Sequence, residues 1–164
     1  MANRLTLATR LLLAAVFILA AFFKAMDFVP TARAVGAAID QRFMIRDAFL
    51  IVSVLASIEL GLGLWLLSGR GAVAAIVSAV VMLVIFTVAL ALLLLDPRAP
   101  SCGCFGGLTA SLLTDAREEN FVAVIRNLLL IFAATTAVVL ARKKRTIDRE
   151  QSPSDADRGA ASVI

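Results

Sequence analysis

The sequence predicts an all-α membrane protein: a four-helix transmembrane bundle with both termini cytoplasmic and a disordered C-terminal tail. Three observations predict it. Of 164 residues, 61% are hydrophobic and only 17% charged, a balance outside the range of soluble globular domains. Four apolar runs each reach the roughly 20 residues that a helix needs to cross about 30 Å of hydrocarbon. Basic residues flank these runs mostly on one side, which orients them.

The first span is expected at residues 5–29, stopping at Pro30. Arg4 and Arg10 precede its apolar centre, and Ala32-Arg33-Ala34 resembles a signal cleavage site. The apolar stretch is longer than a signal h-region, so the span is read as retained. The second span is expected at 47–67, before the turn Ser68-Gly69-Arg70-Gly71; the third, at 72–95, carries no charge and ends at Asp96-Pro97. The fourth is expected at 121–141 and runs into Arg142-Lys143-Lys144-Arg145. Only a helix satisfies its own backbone in lipid, so these runs are helices rather than strands. One membrane domain, 1–145, is followed by a polar tail, 146–164, with no periodicity and no assigned chemistry.

Four spans place both ends on one side. Arg4, Arg10, Arg70 and the basic quartet at 142–145 mark that side as cytoplasmic, against Arg33, Arg42 and Arg46 in the opposite connection. The connection 96–120 is the least basic, with Asp96, Asp115, Glu118 and Glu119 opposing Arg98 and Arg117. It is therefore expected on the outer face of a cell inner membrane, toward the periplasm or cell exterior.

Composition also removes several function classes. The net charge is +4, but the basic residues are not interleaved with aromatics, so no nucleic-acid surface is expected. The chain has no histidine and no tyrosine, which removes His-ligated haem, the usual zinc sites and histidine proton relays. Two cysteines cannot complete a four-coordinate zinc shell within one chain. They leave disulfide chemistry, a metal shared between subunits, or no chemistry at all.

Small residues mark the packing faces, because helices in lipid associate by close approach. In the second span Ser53, Ser57 and Gly61 share one side, while Ala56, Glu59 and Gly63 share nearly the opposite side; neighbours are expected on both. In the fourth, Arg126, Leu130, Ala133 and Ala137 align, which turns the Arg126 charge into the bundle. Ionisable groups within spans are functional candidates by default, and there are three: Lys24, Glu59 and Arg126. Lys24 and Arg126 are each expected about 8 Å below the outer ends of their spans, and Glu59 about 18 Å below its own. Lys24 has two bland alternatives, snorkelling to the interface or pairing with Asp27. Glu59 is too deep to snorkel. It must be protonated, paired with Lys24 or Arg126, or facing a polar cavity.

The two cysteines stand one glycine apart in Ser101-Cys102-Gly103-Cys104-Phe105-Gly106-Gly107, within the outer connection. A bent backbone brings residues i and i+2 within disulfide range, and Gly103 permits the bend. So small a ring adds little stability through loop closure and is strained, and strained, exposed disulfides are the labile ones. A structural staple remains the alternative. Nearby Lys24 or Arg126 would favour a thiolate. A dithiol at one depth cannot itself move electrons across the bilayer. Its electrons must pass to or from an outer partner protein or a bound redox cofactor such as a quinone, for which Lys24 and Arg126 are the candidate contacts.

Phe22-Phe23-Lys24-Ala25, Glu59-Leu60-Gly61-Leu62-Gly63, the Cys-Gly-Cys-Phe-Gly string at 102–106 and Arg126-Asn127-Leu128-Leu129-Leu130 together resemble the MauE branch of the DoxX-like membrane proteins. The resemblance covers about residues 5–141. That family is named for methylamine utilisation, where its member supports maturation of a disulfide-rich dehydrogenase subunit beside a thioredoxin-like partner. The resemblance implies that Cys102 and Cys104 are the redox pair, with Lys24, Glu59, Arg126 and Asn127 as a supporting polar cluster and Gly103, Phe105 and Gly106 shaping the loop. It does not carry methylamine metabolism itself to this chain. Two functional expectations follow. One is a membrane thiol-disulfide oxidoreductase acting on a periplasmic thioredoxin-fold or disulfide-rich client, with or without a quinone. The other is a non-enzymatic membrane subunit or anchor that docks a partner through a disulfide-stapled loop.

Overall fold

A computed structural model of the chain describes residues 2–39, 45–96, 100–102 and 115–150. Its described secondary structure is helical throughout: α1 (Ala2–Met26), α2 (Val29–Ile39), α3 (Ile45–Ser68), α4 (Ala72–Leu95) and α5 (Ala116–Glu150). Four of these are long and apolar enough to cross a membrane, as the sequence predicts. The chain is thus a multi-pass membrane protein, and large exposed side chains such as Leu12, Phe22, Ile85, Leu129 and Phe132 form the surface offered to lipid.

α1 packs mainly on α3, α4 on α5, and α1 on α5. Each spanning helix buries one stripe at helical spacing. In α1 the stripe is Leu13, Phe17, Ala20, Ala21 and Lys24; in α5 it is Ala123, Asn127, Leu130, Ala134 and Ala137. The buried apolar side chains form two clusters. The larger joins Leu13, Phe17, Leu66, Ile76, Leu83, Leu130 and Ala134; the smaller joins Ala34, Leu90, Leu93, Cys102 and Ala123. Phe86 on α4 and Asn127 on α5 fall between the residues that each helix gives to the two clusters. A polar layer therefore separates two apolar layers.

Three features differ from the sequence expectation. First, α1 stops at Met26 rather than at Val29, because Pro30 has no N–H for the Met26 carbonyl and cannot continue the helix. The chain instead starts α2, with Pro30 in its first turn, where that N–H is not needed. α2 packs on α3 and α4 inside a connection that had no predicted element. Second, α5 begins five residues before the predicted span and continues to Glu150, into the predicted tail. Asp115 starts it by accepting a hydrogen bond from the Arg117 N–H (3.1 Å). At its far end the basic run Arg142-Lys143-Lys144-Arg145 supplies good helix formers that need no lipid. Thirty-five residues extend about 52 Å, well past the hydrocarbon. Residues 151–164 of the predicted tail lie outside the described residues.

Third, among the described residues only one of the two small-residue faces of α3 packs on another helix. Gly63 is buried against α1, where an added Cβ would lie 2.6 Å from Ile18 Cγ1 and 3.3 Å from the Ala14 carbonyl oxygen. Ser53, Ser57 and Gly61 face outward, and the Ser57 hydroxyl turns back to donate to the Ser53 carbonyl (2.8 Å). That internal bond satisfies the hydroxyl without a neighbouring helix. The α3–α4 turn places Gly69 and Gly71 at φ 71° and 62°, the left-handed region that glycine enters without penalty. Trp65 Nε1 closes the turn by donating to the Arg70 carbonyl (2.9 Å).

Candidate functional site

The polar layer brings together all four of the spanning polar residues singled out in the sequence. Lys24 Nζ donates to both carboxylate oxygens of Glu59, at 2.6 and 2.8 Å. The two side chains are 4% and 1% exposed, so this pair is desolvated. Of the alternatives open to each, pairing of Lys24 with Glu59 is the one realised. Snorkelling would require an exposed ammonium, and Lys24 is 3% exposed. Its Nζ also lies 5.4 Å from the centroid of the Phe86 ring, within cation–π range.

The register of this pair corrects the expected depth of Lys24. It is two residues from the end of α1, whereas Glu59 is fourteen from the start of α3. α3 therefore extends about 18 Å beyond the end of α1 on that side, and α2 packs beside the overhang. Lys24 is thus level with Glu59 and not near an exposed helix end. Because α2 roofs the site, an ammonium two residues from a helix terminus stays dry.

Asn127 is 1% exposed, and its Oδ1 accepts from Arg126 Nε (3.3 Å) and Nη2 (3.0 Å). Arg126, Asn127, Lys24 and Glu59 line one small cavity with Phe86 and Leu83. At about 20 Å³ it has room for about one water molecule. The layer holds two cationic groups and one carboxylate, with the Asn127 amide bonded to Arg126.

A second, larger cavity adjoins it. Of about 90 Å³, it is lined by Lys24, Thr31, Leu55, Phe86, Leu90 and Cys102, among others, and is apolar over most of its wall. Arg126 does not line it, whereas Lys24 lines both, so the two cations proposed as joint quinone contacts share only the smaller cavity. Cys102 is 5% exposed and belongs to the outer apolar cluster with Ala34, Leu90, Leu93 and Ala123. The expectation of an exposed cysteine pair therefore does not hold at Cys102. Apolar side chains of α2, α4 and α5 fold over it. Cys104, with the loop residues Gly103, Phe105 and Gly106, lies outside the described residues.

Two residues of the site were not signalled by the sequence reading. Asn120, 1% exposed, accepts the Cys102 N–H on its Oδ1 (2.8 Å) and donates from Nδ2 to the Pro100 carbonyl (3.2 Å). This amide pins the cysteine strand to the first turn of α5, seven residues from Asn127 on the same stripe. The only sequence signal is that spacing of two asparagines, two turns apart on a face that is otherwise small and apolar. The other is Thr31, 4% exposed, whose Oγ1 has no hydrogen-bond partner. It lines the larger cavity.

No curated protein and no solved structure matches the chain. A family description does match, over residues 2–141, which takes in all four spans, Asn120, both cysteines and the complete polar layer. The chain belongs to the family of the methylamine utilisation protein MauE.

Proposed function

We propose that this chain is an integral membrane thiol-disulfide redox protein of the cell inner membrane, exchanging electrons through Cys102 and Cys104 with a thioredoxin-fold or disulfide-rich client on the periplasmic side. It would serve maturation of disulfide-containing proteins. The observation that carries the reading is the seat of Cys102: its backbone is fixed by buried Asn120, and its side chain shares a cavity wall with Lys24. A cysteine whose backbone is held so specifically, and which shares a cavity with a buried ammonium as well as with its apolar cluster, suits a reactive group better than a packing residue. Because Cys102 is buried, this reading gives the partner-facing step to Cys104. A client disulfide is attacked by the Cys104 thiolate, one client sulfur leaves as a thiol, and a mixed disulfide forms. Cys102 then displaces the second client sulfur and closes the internal disulfide. The reverse sequence oxidises the client. Either way one disulfide forms as another breaks, and two electrons pass.

The test uses the full-length chain in isolated membranes, with thiols trapped by acid and then alkylated. The pair is expected to interconvert between dithiol and disulfide, and Cys102→Ser is expected to accumulate a mixed disulfide through Cys104. Asn120→Ala should slow interconversion severalfold while the chain still inserts. If the Cys104→Ser variant left every client's oxidation state unchanged, the redox reading would be lost. Retained assembly with both cysteines replaced by Ala would then favour the docking-subunit alternative, to which the burial of Cys102 also lends itself.

A further inference from the structure

The larger cavity has a composition that neither the thiol chemistry nor the packing explains. Its wall is almost wholly apolar, yet three polar groups converge there from different elements: Lys24 from α1, Thr31 from α2 and Cys102 from the loop before α5. Thr31 is the informative one. A buried hydroxyl without a partner costs about 1–3 kcal/mol, and its Oγ1 has none. The isosteric valine would avoid that cost, so a hydroxyl here is suited to a ligand that brings an oxygen acceptor. Lys24 gives two of its three N–H groups to Glu59 and has one more to give.

We infer that this cavity binds the ring of a lipid-soluble quinone, with one carbonyl accepting from Thr31 Oγ1 and the redox-active face set against Cys102. The inference rests on the redox reading above and supplies its missing electron acceptor. The cavity, at about 90 Å³, is smaller than the roughly 150 Å³ that encloses benzene, so it does not enclose a ring. It is partly open, and a ring enters partway while its isoprenoid tail remains in the lipid. Phe86 and Leu90 offer flat and branched apolar surfaces to the ring, and the Phe86 ring already neighbours the ammonium. An acyl chain would fill the same space and leave Thr31 unsatisfied. A client protein cannot enter it, and Cys102 is too buried to meet one directly. The step balances: two thiols and one quinone give one disulfide and one quinol, the thiols supplying both electrons and both protons. Lys24 is placed to steady the negative charge that develops on the quinone oxygen before protonation.

The experiment is photolabelling of the full-length chain in lipid nanodiscs with an azido-substituted short-chain ubiquinone, the labelled peptides being mapped by mass spectrometry. Labelling is expected on α2 and α4 near Thr31, Phe86 and Leu90, and competed away by excess short-chain ubiquinone but not by oleate. Thr31→Val should weaken competition about tenfold, the effect of losing one hydrogen bond, while leaving thermal stability equal or higher. Ala89→Trp, which fills the cavity from its wall, should abolish the specific label. The Cys102→Ser, Cys104→Ser double variant should still bind. Label spread evenly over the lipid-facing helices, competition by oleate, or a Thr31→Val variant that binds as tightly as the parent would each overturn the site. Specific labelling without any thiol exchange would uphold the cavity and overturn the redox reading. Exchange with a thioredoxin-fold protein but no specific label would overturn the cavity alone.

Discussion

Lys24 and Glu59 illustrate how much a single pair is asked to do when water is absent. Each is nearly sealed from solvent, and bringing two charges out of water costs several kcal/mol per ion, offset only by close geometry and additional hydrogen bonds. The two short contacts to Glu59 and the Phe86 ring provide that offset. The asymmetry of buried pairs then predicts their mutational behaviour. Glu59→Gln leaves an ammonium buried with a weaker acceptor and should lower stability by about 3–5 kcal/mol. Replacing both groups, with Lys24→Met and Glu59→Leu, removes the desolvation cost along with the attraction and should fall well short of the single loss. Unfolding of the solubilised protein, run as a double-mutant cycle, measures the difference. Two single losses that simply add would show that the pair is not coupled. The pairing was one of three options legible in the sequence, since Glu59 was too deep to reach an interface. Thr31 and Asn120 were not legible. A threonine after Pro30 and an asparagine at the edge of an apolar run read as connection chemistry, and their burial depends on a roof and a loop that no periodicity encodes.

At the scale of elements, the decisive contact is between α1 and α3, because their register aligns Lys24 with Glu59. Gly63 sets the separation. A methyl group there meets Ile18 Cγ1 and the Ala14 backbone, and neither yields cheaply, the first being attached at a stiff branched carbon and the second being main chain. Gly61, two residues away on the outward face, has nothing within 4 Å of its added Cβ. Gly63→Ala is therefore expected to destabilise the bundle by about 1–3 kcal/mol, with partial rescue by Ile18→Ala, whereas Gly61→Ala should be neutral or slightly stabilising. Thermal unfolding of the four proteins in one detergent tests this, and equal effects at the two glycines would show that the α1–α3 approach is not set at Gly63. The four spans themselves were legible from hydropathy because each is an uninterrupted run bounded by glycine, proline or charge. α2 was not, since eleven residues containing Pro30, Arg33 and Gly36 fall short of a span's length and carry a helix-breaking proline in the first turn. The stripe Ser53, Ser57 and Gly61 misled for the opposite reason. Small residues permit close approach but do not require a partner.

For the whole molecule, everything proposed about clients depends on which side of the membrane the cysteine strand occupies. The bundle geometry puts the start of α1, the α3–α4 turn and the end of α5 at one end, and α2 with residues 100–102 at the other, because the four spans alternate in direction. Arg4, Arg10 and Arg70 lie at the first end, joined by Arg142 and Lys143, which α5 carries in continuous helix rather than on a loose tail. An anionic inner leaflet would hold that cluster by about 1 kcal/mol per basic group. Asp115, Glu118 and Glu119 lie at the opposite end, at the start of α5. Positive charge retained inside then predicts a cytoplasmic α3–α4 turn and an outer cysteine strand. In a chain with both native cysteines replaced by alanine, a single cysteine at Asp115→Cys should react with a membrane-impermeant maleimide in intact cells. One at Arg70→Cys should react only after the cells are opened. The reverse pattern would turn the cysteine strand toward the reducing cytosol, where a dithiol has no periplasmic client to oxidise. That outcome would remove the client while leaving the polar layer and the cavity beside Thr31 as they are, which makes orientation the first measurement to make.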